Sequence, residues 1–404
     1  MVRKLAWRNL WRNRRRSVIT LVSVALAVIL SSLMMSIKNG VYANMIESLM
    51  GSFTGYIQLH AKGYWEEKNL DESLELTDSL KASLNNRNEL NGFLPRIETG
   101  VLAASGNQTK FSMLVGMDPE AEDRNAHLSE RVSTGSYLTP DDKAVLVGAG
   151  LAEYLKLDAG DTIVLLSQGY HGSNAAGKYP VKGIIHFGSP ELSKQLVILP
   201  LKEAQWLLDM PERMTSLILI PKKPGHADVI ASHLNESAGP GYEVLSWQTM
   251  NPSLVRMMAT DKVEGYVFMS VLYLIISFGL FGTMLMMLAE RRHEFGVLVA
   301  MGMRRGMLAR MVWIELCMLS LLGAVIGIAG AFPVCAWFHY HPISLGDQLK
   351  DMVEEYGMEA VMQASMNPLI FAGQAVVVLI VATIIACYPL VKLQWLNAIK
   401  SMRA

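Results

Sequence analysis

Gly172, Gly177 and Lys178 stand at the spacing of a phosphate-binding loop, G-x-x-x-x-G-K followed by Ser or Thr, within the stretch GSNAAGKY. Such a loop cradles phosphate on backbone N–H groups, and its hydroxyl ligates Mg²⁺. Here Tyr179 occupies the hydroxyl position, and Pro180 follows at once. A working loop must open a helix, whose first N–H groups hold the anion. The residues after Pro180, VKGIIHF, have the pattern of a strand instead. The stretch is therefore predicted to be a hairpin loop between strands at 161–167 and 179–187, with no nucleotide site. No other catalytic constellation is legible. His171, His186, His226 and His233 lie in separate segments, and neither G-x-S-x-G nor H-E-x-x-H occurs. The three cysteines (Cys317, Cys335, Cys387) fall in apolar runs, and no Cys/His cluster has zinc spacing. No enzyme activity, metal or cofactor is expected of this chain.

The informative side chains are of another kind. AERRHEFGVLVAMGMRRGMLAR, Ala289 to Arg310, opens with Glu290, Arg291, Arg292 and Glu294 and continues with Phe295, Leu298, Val299 and Met301 between Gly296, Gly302 and Gly306. Phe295, Leu298 and Val299 share one face of a short helix by i, i+3, i+4 spacing. A helix of this kind suits a membrane surface or a groove on a partner protein, and the charged, glycine-punctuated form favours docking over a plain basic turn. Glu315 lies inside an apolar run, where an acid is costly unless it is paired or snorkels to the interface; Arg310 and Arg291 are the partners within reach. Methionine is abundant at 26 residues. Met34, Met45 and Met50 follow one apolar run, and Met258 and Met269 precede or enter the next; flexible thioethers suit a surface that accepts varied acyl chains, and equally serve as core filling.

The elements that position these residues follow from hydropathy. The chain has 404 residues, 51% apolar and only 18% charged, with mean hydropathy +0.27. A bilayer core of about 30 Å needs roughly 20 apolar residues as a helix. Four stretches meet this: 18–37, 266–289, 311–338 and 369–391. The first is too long for the apolar core of a signal peptide and lacks a cleavage site, so a retained anchor is predicted. Residues 1–17 carry seven Lys or Arg and no acid; 290–310 and 392–404 are also basic. Residues 38–265 hold 20 basic and 28 acidic residues, a net of −8, and the loop 339–368 holds Lys350 against five acids. The positive-inside rule puts both termini and the 290–310 loop in the cytoplasm, and 38–265 and 339–368 outside. Outside, ATP is not supplied, which agrees with the failed phosphate loop. Zero net charge gives no field favouring nucleic acid.

Residues 56–247 are predicted to be a mixed α/β domain. Strands are expected at 56–60, 101–105, 110–117, 144–148, 161–167, 179–187, 195–199, 216–220 and 242–246, with a tight turn at SGNQ, Ser105 to Gln108. Helices are expected near 71–90, 149–155, 201–210 and 225–236.

ERRHEFGVLVAMGMRRG directly after a span resembles the signature of FtsX/MacB-type ABC transporter permeases. The order of one span, a large outward domain and three further spans resembles that family too. GAGLAEYLKLDAGDTIVLL (Gly148–Leu166) is similar to the outward domain of its lipoprotein-releasing LolC/LolE members, and LAWRNLWRNRRRS (Leu5–Ser17) to the family's cytoplasmic start. The resemblance covers nearly the whole chain. It implies an α-helical membrane protein with four transmembrane helices and a large extracytoplasmic α/β domain of the MacB-like periplasmic core type between helices 1 and 2. It implies a coupling helix at 290–303 that docks on a separate ABC ATPase subunit, present in two copies, which binds ATP and Mg²⁺. It further implies a second permease copy or paralogue, a bacterial inner-membrane location, and contact with membrane lipids. The expected work is extraction or transport of lipoprotein or another amphiphilic cargo, handed to a periplasmic carrier. The alternatives are FtsX-like mechanical activation of a periplasmic partner, MacB-like efflux, and a membrane-anchored sensor or enzyme with no ATPase partner.

Overall fold

A computed structural model describes residues 14–187, 190–344 and 361–394. The predicted amphipathic start up to residue 13, most of the 339–368 loop and the tail from 395 lie outside the described residues. The described residues divide into a helical unit, built from residues up to Ala43, Met258–Ser344 and from Val361 onward, and an α/β unit from Asn44 to Met257.

In chain order the helices are α1 (Arg14–Ile46), α2 (Asp78–Asn85), α3 (Pro119–Ala126), α4 (Ala149–Leu155), α5 (Pro190–Gln195), α6 (Leu201–Leu207) and α7 (Ala227–Ser237). Then come α8 (Pro252–Glu290), α9 (Arg292–Ala300), α10 (Arg305–Tyr340) and α11 (Pro368–Gln394). Four of them, α1, α8, α10 and α11, are long and apolar enough to cross a membrane. They contain the four predicted spans and extend beyond them, because a helix needs apolar side chains only where it meets lipid. At 1.5 Å per residue, the 39 residues of α8 reach about 58 Å, well past the hydrocarbon core. Within the helical unit α1 lies directly on α10. A Cβ on Gly323 would stand 2.7 Å from Val24 Cβ, and one on Gly327 would stand 2.8 Å from the Ala25 carbonyl oxygen. Glycine thus lets two backbones meet where lipid gives no hydrophobic drive for association. Val24, Ala27 and Val28 bury with Ala324, Ala375 and Val378 in one core.

The α/β unit contains β1 (Ile57–Ala61), β2 (Leu74–Glu75), β3 (Leu90–Ser105), β4 (Gln108–Met117), β5 (Val132–Gly135), β6 (Val145–Gly148), β7 (Thr162–Gln168), β8 (Asn174–Ile185), β9 (Leu196–Pro200), β10 (Arg213–Met214), β11 (Ser216–Pro221) and β12 (Tyr242–Ser246). Its main sheet has the order β12-β1-β11-β3-β4-β9-β6-β8-β5, with β7 paired to both β3 and β8. β4–β9 and β6–β8 run parallel, so the sheet is mixed. Val115, Met117, Leu146, Ile185, Leu196 and Ile198 form its core with Phe53 and Phe187.

The phosphate-loop look-alike lies in the β7–β8 hairpin, but only Gly172 and Ser173 are in its loop: β8 begins at Asn174, five residues before the strand expected at 179–187. β7 and β8 pair antiparallel from Thr162↔Pro180 to Gln168↔Asn174, so Lys178 lies in a strand opposite Val164. The turn after Ser105 also holds: Ser105 pairs with Gln108, and Gly106 adopts φ +55°. Two further expectations change. The helix expected over 71–90 shrinks to Asp78–Asn85, capped by the Thr77 side chain, because Leu74–Glu75 pairs with Arg213–Met214 instead. The strand expected at 101–105 begins at Leu90. Gly92 and Pro95 obscure its first half in the sequence, but β11 pairs along it from Ser216↔Arg96 to Ile220↔Gly92.

Candidate functional site

α9 follows α8 after a break at Arg291, whose backbone (φ −95°, ψ 11°) leaves the helical region and caps the new helix. The Arg291 side chain turns inward. Its Nη1 donates to both carboxylate oxygens of Glu315 at 3.1 and 3.0 Å, and its Nε to Glu294 at 3.3 Å. Glu315 is 2% exposed. Of the two partners suggested by the sequence, the structure therefore places Arg291 on Glu315. The guanidinium also lies 5.2 Å from the centroid of the Phe295 ring. A buried pair of this kind ties the start of α9 to α10 with direction as well as energy.

The apolar face of α9 is not free for a partner. Phe295 is fully buried among Met284, Met287, Leu288, Leu308, Val312, Ala386 and Leu393, with Leu298 and Val299 packed against the same cluster. Gly296 is buried too. Glu290, Arg292, Glu294, Met301 and Gly302 are exposed, Met301 at 71%. The predicted docking set thus divides. Phe295, Leu298, Gly296 and Arg291 fix the helix to the bundle, and the rest form its outer surface. Gly302 ends the segment at φ +97°, a conformation that favours glycine. Spacing alone found the apolar face but could not say which surface covered it.

The methionines also divide. Met45 and Met50 are buried and belong to the α/β unit; Met269 is buried in the helical unit. Met34 and Met258 are half-buried. In the α/β unit a cleft of about 690 Å³ is lined by Lys68, Asp71, Leu102, Phe111, Leu166 and Gln168, among others. Burial pulls the Lys68 ammonium down to about 8, and it stands 3.2 Å from the centroid of the Trp65 ring. Ser167 also lines the cleft, and its hydroxyl donates to the Gly100 carbonyl at 2.8 Å. Among the described residues no group of His, Cys, Asp and Glu is placed to hold a metal ion.

Sequence reading missed a buried polar network under the sheet. Arg96 Nε and Nη2 donate to the two oxygens of Glu122 at 2.5 and 2.8 Å, and Nη1 donates to the Phe53 carbonyl. Burial opposes the charge on Arg96, but the Glu122 carboxylate more than offsets it, and its pKa rises. An isolated Arg and an acid 26 residues later carry no signal of contact.

Four membrane-length helices, a mixed α/β domain inserted between the first and second, and a short capped helix after the second define a permease-type membrane subunit. Residues 17–236 match the model of the MacB-like periplasmic core domain, and residues 266–398 match that of the FtsX-like permease C-terminal. The chain belongs to this FtsX/MacB-type family of ABC transporter permeases. It is 25% identical to the lipoprotein-releasing system transmembrane protein LolC of Xylella fastidiosa (strain 9a5c), over 61% of this chain and 60% of that protein. It is 20% identical to the LolE protein of Haemophilus influenzae, over 80% of each. It is 23% identical to the pyoverdine export ATP-binding/permease protein PvdT of Pseudomonas aeruginosa, over 81% of this chain and 50% of that one. The match to LolC therefore spans about 60% of that relative's length. Among solved structures, the periplasmic region of MacB from Actinobacillus actinomycetemcomitans aligns with 49% of this chain and 91% of its own, at 12% identity and TM-score 0.34.

Proposed function

We propose that this chain is the membrane subunit of an ABC transporter that uses ATP hydrolysed, with Mg²⁺, by a separate ATPase subunit to extract or transport a lipoprotein or similar amphiphile at a bacterial inner membrane. The observation that carries the reading is α9, a short helix pinned to α10 through the buried Arg291–Glu315 pair while Arg292 and Met301 remain outward. A helix tied this way moves as one piece with the span it grips, which a docking handle requires. The outer residues Glu290, Arg292, Glu294, Met301 and Gly302 meet the ATPase; Arg291, Phe295, Gly296 and Leu298 pass its motion inward. The basic loops support cytoplasmic termini and an outward α/β domain. A second permease, identical or paralogous, and two ATPases complete the assembly, and a periplasmic carrier receives the cargo.

The names of the LolC and LolE relatives support lipoprotein as cargo; that of PvdT supports export of a smaller compound as the second reading. Of the five methionines, the half-buried Met34 and Met258 are the ones left to touch an acyl chain. The test is reconstitution with an ABC ATPase subunit that co-purifies with this chain. Release of a triacylated lipoprotein from proteoliposomes on adding ATP supports the reading; ATP-driven export of a siderophore-like compound with no lipoprotein release supports the second. Co-purification without any ATPase removes both. Arg292→Glu with Met301→Asp is expected to lower release at least about tenfold while yield and thermal stability hold, since both positions are exposed.

A further inference from the structure

β3, β4 and β7 carry apolar side chains on both faces. Inward, Val101, Ala103, Leu114 and Leu165 are buried. Outward, Leu102, Phe111 and Leu166 are exposed at 45%, 65% and 44%. An antiparallel sheet with one face in water alternates apolar-in with polar-out. Leucine and phenylalanine gathered on the outer face therefore mark a surface that something covers. The three are not scattered. Leu102 pairs with Phe111 on one side and with Leu166 on the other, and Leu166 pairs with the exposed Ala176. Residues directly opposite one another share a face. The four thus form one row across β4, β3, β7 and β8, about 14 Å long at about 4.8 Å per strand. The Phe111 ring lies against Gly100, where a Cβ would come within 2.6 Å of it; glycine at this position lets the ring rest on β3.

Phe111, Leu102 and Leu166 line the 690 Å³ cleft together with the segment Lys68–Asp71. Lys68 ends the turn Tyr64–Glu67 with φ +52°, a region that few non-glycine residues enter. Its ammonium lies 3.2 Å from the centroid of the Trp65 ring and 5.3 Å from that of Tyr64. Burial lowers its pKa to about 8, and Glu98 on β3 and Glu243 on β12 oppose the shift without cancelling it. The charge is left under-compensated. Asp71 faces elsewhere: its Oδ1 accepts from His171 N at 2.7 Å and stands 3.4 Å from His171 Nδ1. Among the described residues that line the cleft, Lys68 is the one cation.

We propose that the cleft binds a free fatty carboxylate, with its chain on the row Phe111–Leu102–Leu166 and its head group at Lys68. Three features select this ligand. The volume falls in the range of about 300–1,000 Å³ found for small-molecule sites. A row of four side chains is far short of the about 800 Å² that each partner contributes to a stable protein interface. A single ammonium matches a single carboxylate charge, whereas a phosphate dianion is better met by several donors or a guanidinium fork. The site lies within the α/β unit and stands without the permease reading.

The test uses the full chain in nanodiscs of phosphatidylethanolamine and phosphatidylglycerol. They are photolabelled with hexadecanoate carrying a diazirine at the chain end, and the label is mapped by peptide mass spectrometry. Label is expected on residues 99–113 and 162–168 as well as on the long apolar helices, which serve as the internal reference. Leu102→Asn with Leu166→Asn is expected to lower the strand label about tenfold against that reference; both positions are exposed, and thermal unfolding reports that the domain is intact. Lys68→Met should lower it about fivefold or more. Two further readouts need no variant. Lys68 loses its proton as pH rises through about 8, so the strand label of the parent protein should fall between about pH 7 and about pH 9.5. The matching diazirine alcohol should label the helices and spare the strands. Label confined to the helices, strand label that survives the double variant or is flat with pH, or equal strand labelling by the alcohol overturns the proposal. Stronger competition by lysophosphatidylglycerol than by unlabelled hexadecanoate overturns it too, since the head group would then be a phosphate.

Discussion

Arg291 and Glu315 illustrate how one buried pair sets the role of a whole segment. Removing either partner strands the other in a low-dielectric site, at a cost of about 3–5 kcal/mol, whereas an apolar pair of similar volume is nearly neutral. Arg291→Met alone and Glu315→Leu alone are expected to lower the thermal unfolding temperature of the purified protein, and the double variant to recover most of the loss; a double-mutant cycle in detergent checks this. Phe295→Asp is expected to behave as a core lesion with low yield, because Phe295 is wholly enclosed, and so it cannot serve as a test of docking. His60 makes a second residue-scale prediction. It is fully buried, its Nδ1 is bonded to the Thr215 carbonyl at 2.9 Å, and its Nε2 has no partner. Burial pulls it from 6.5 down to about 4, the Thr215 bond opposing and Lys68 adding to the shift. The folded state thus keeps it neutral while the unfolded chain protonates first. Its contribution is present above pH 6.5 and is lost as pH falls from there toward 4, by about 3 kcal/mol in all. Burial moves Glu98 upward, and a raised carboxyl acts with the opposite sign. Denaturant midpoints at pH 7 and 4.5 should converge in His60→Gln relative to the parent.

At the scale of elements, the α1–α10 contact depends on glycine rather than on bulk. A side chain at Gly327 would meet Val28 Cβ at 2.7 Å and the Ala25 carbonyl oxygen at 2.8 Å, and backbone cannot swing aside as a side chain can. Gly327→Leu is expected to force the helices apart and destabilise the unit by about 1–3 kcal/mol or more. Gly373, with open space around its Cβ position, is the control: Gly373→Leu should be tolerated. Thermal unfolding of the two variants side by side tests the contact. Hydropathy located all four long helices because lipid imposes a composition on any segment that crosses it. It could not reveal that α1 meets α10 through Gly323 and Gly327, since the glycines of a span look alike until a neighbour is placed against them. Likewise, the first half of β3 was hidden by Gly92 and Pro95, and only pairing with β11 makes it a strand.

For the whole molecule, the charge asymmetry of the loops makes an orientation prediction. A membrane-impermeant thiol reagent should label Thr109→Cys in intact spheroplasts and Met301→Cys only after lysis, in a cysteine-free background; both sites are exposed. Labelling of Met301→Cys from outside would invert the molecule and end the docking reading. The division into a helical unit and an α/β unit places the two kinds of candidate site in different bodies. The α9 handle is in one, and the Arg96 clamp and the 690 Å³ cleft are in the other.

Sequence alone decided what periodicity and solvent impose locally. It marked the long apolar helices, most strands of the α/β unit, the hairpin that carries the phosphate-loop look-alike, and the charged helix after the second span. These follow from the bilayer's demand for apolar runs, from alternation at period two, and from Pro180 directly after Tyr179. Tertiary structure decided which faces are covered. It turned Phe295 and Leu298 inward, chose Arg291 over Arg310 for Glu315, buried Met45, Met50 and Met269, and joined Arg96 to Glu122 and Phe53. Those outcomes depend on contacts between residues far apart in the chain, and side-chain type at one position holds no record of what another segment brings against it.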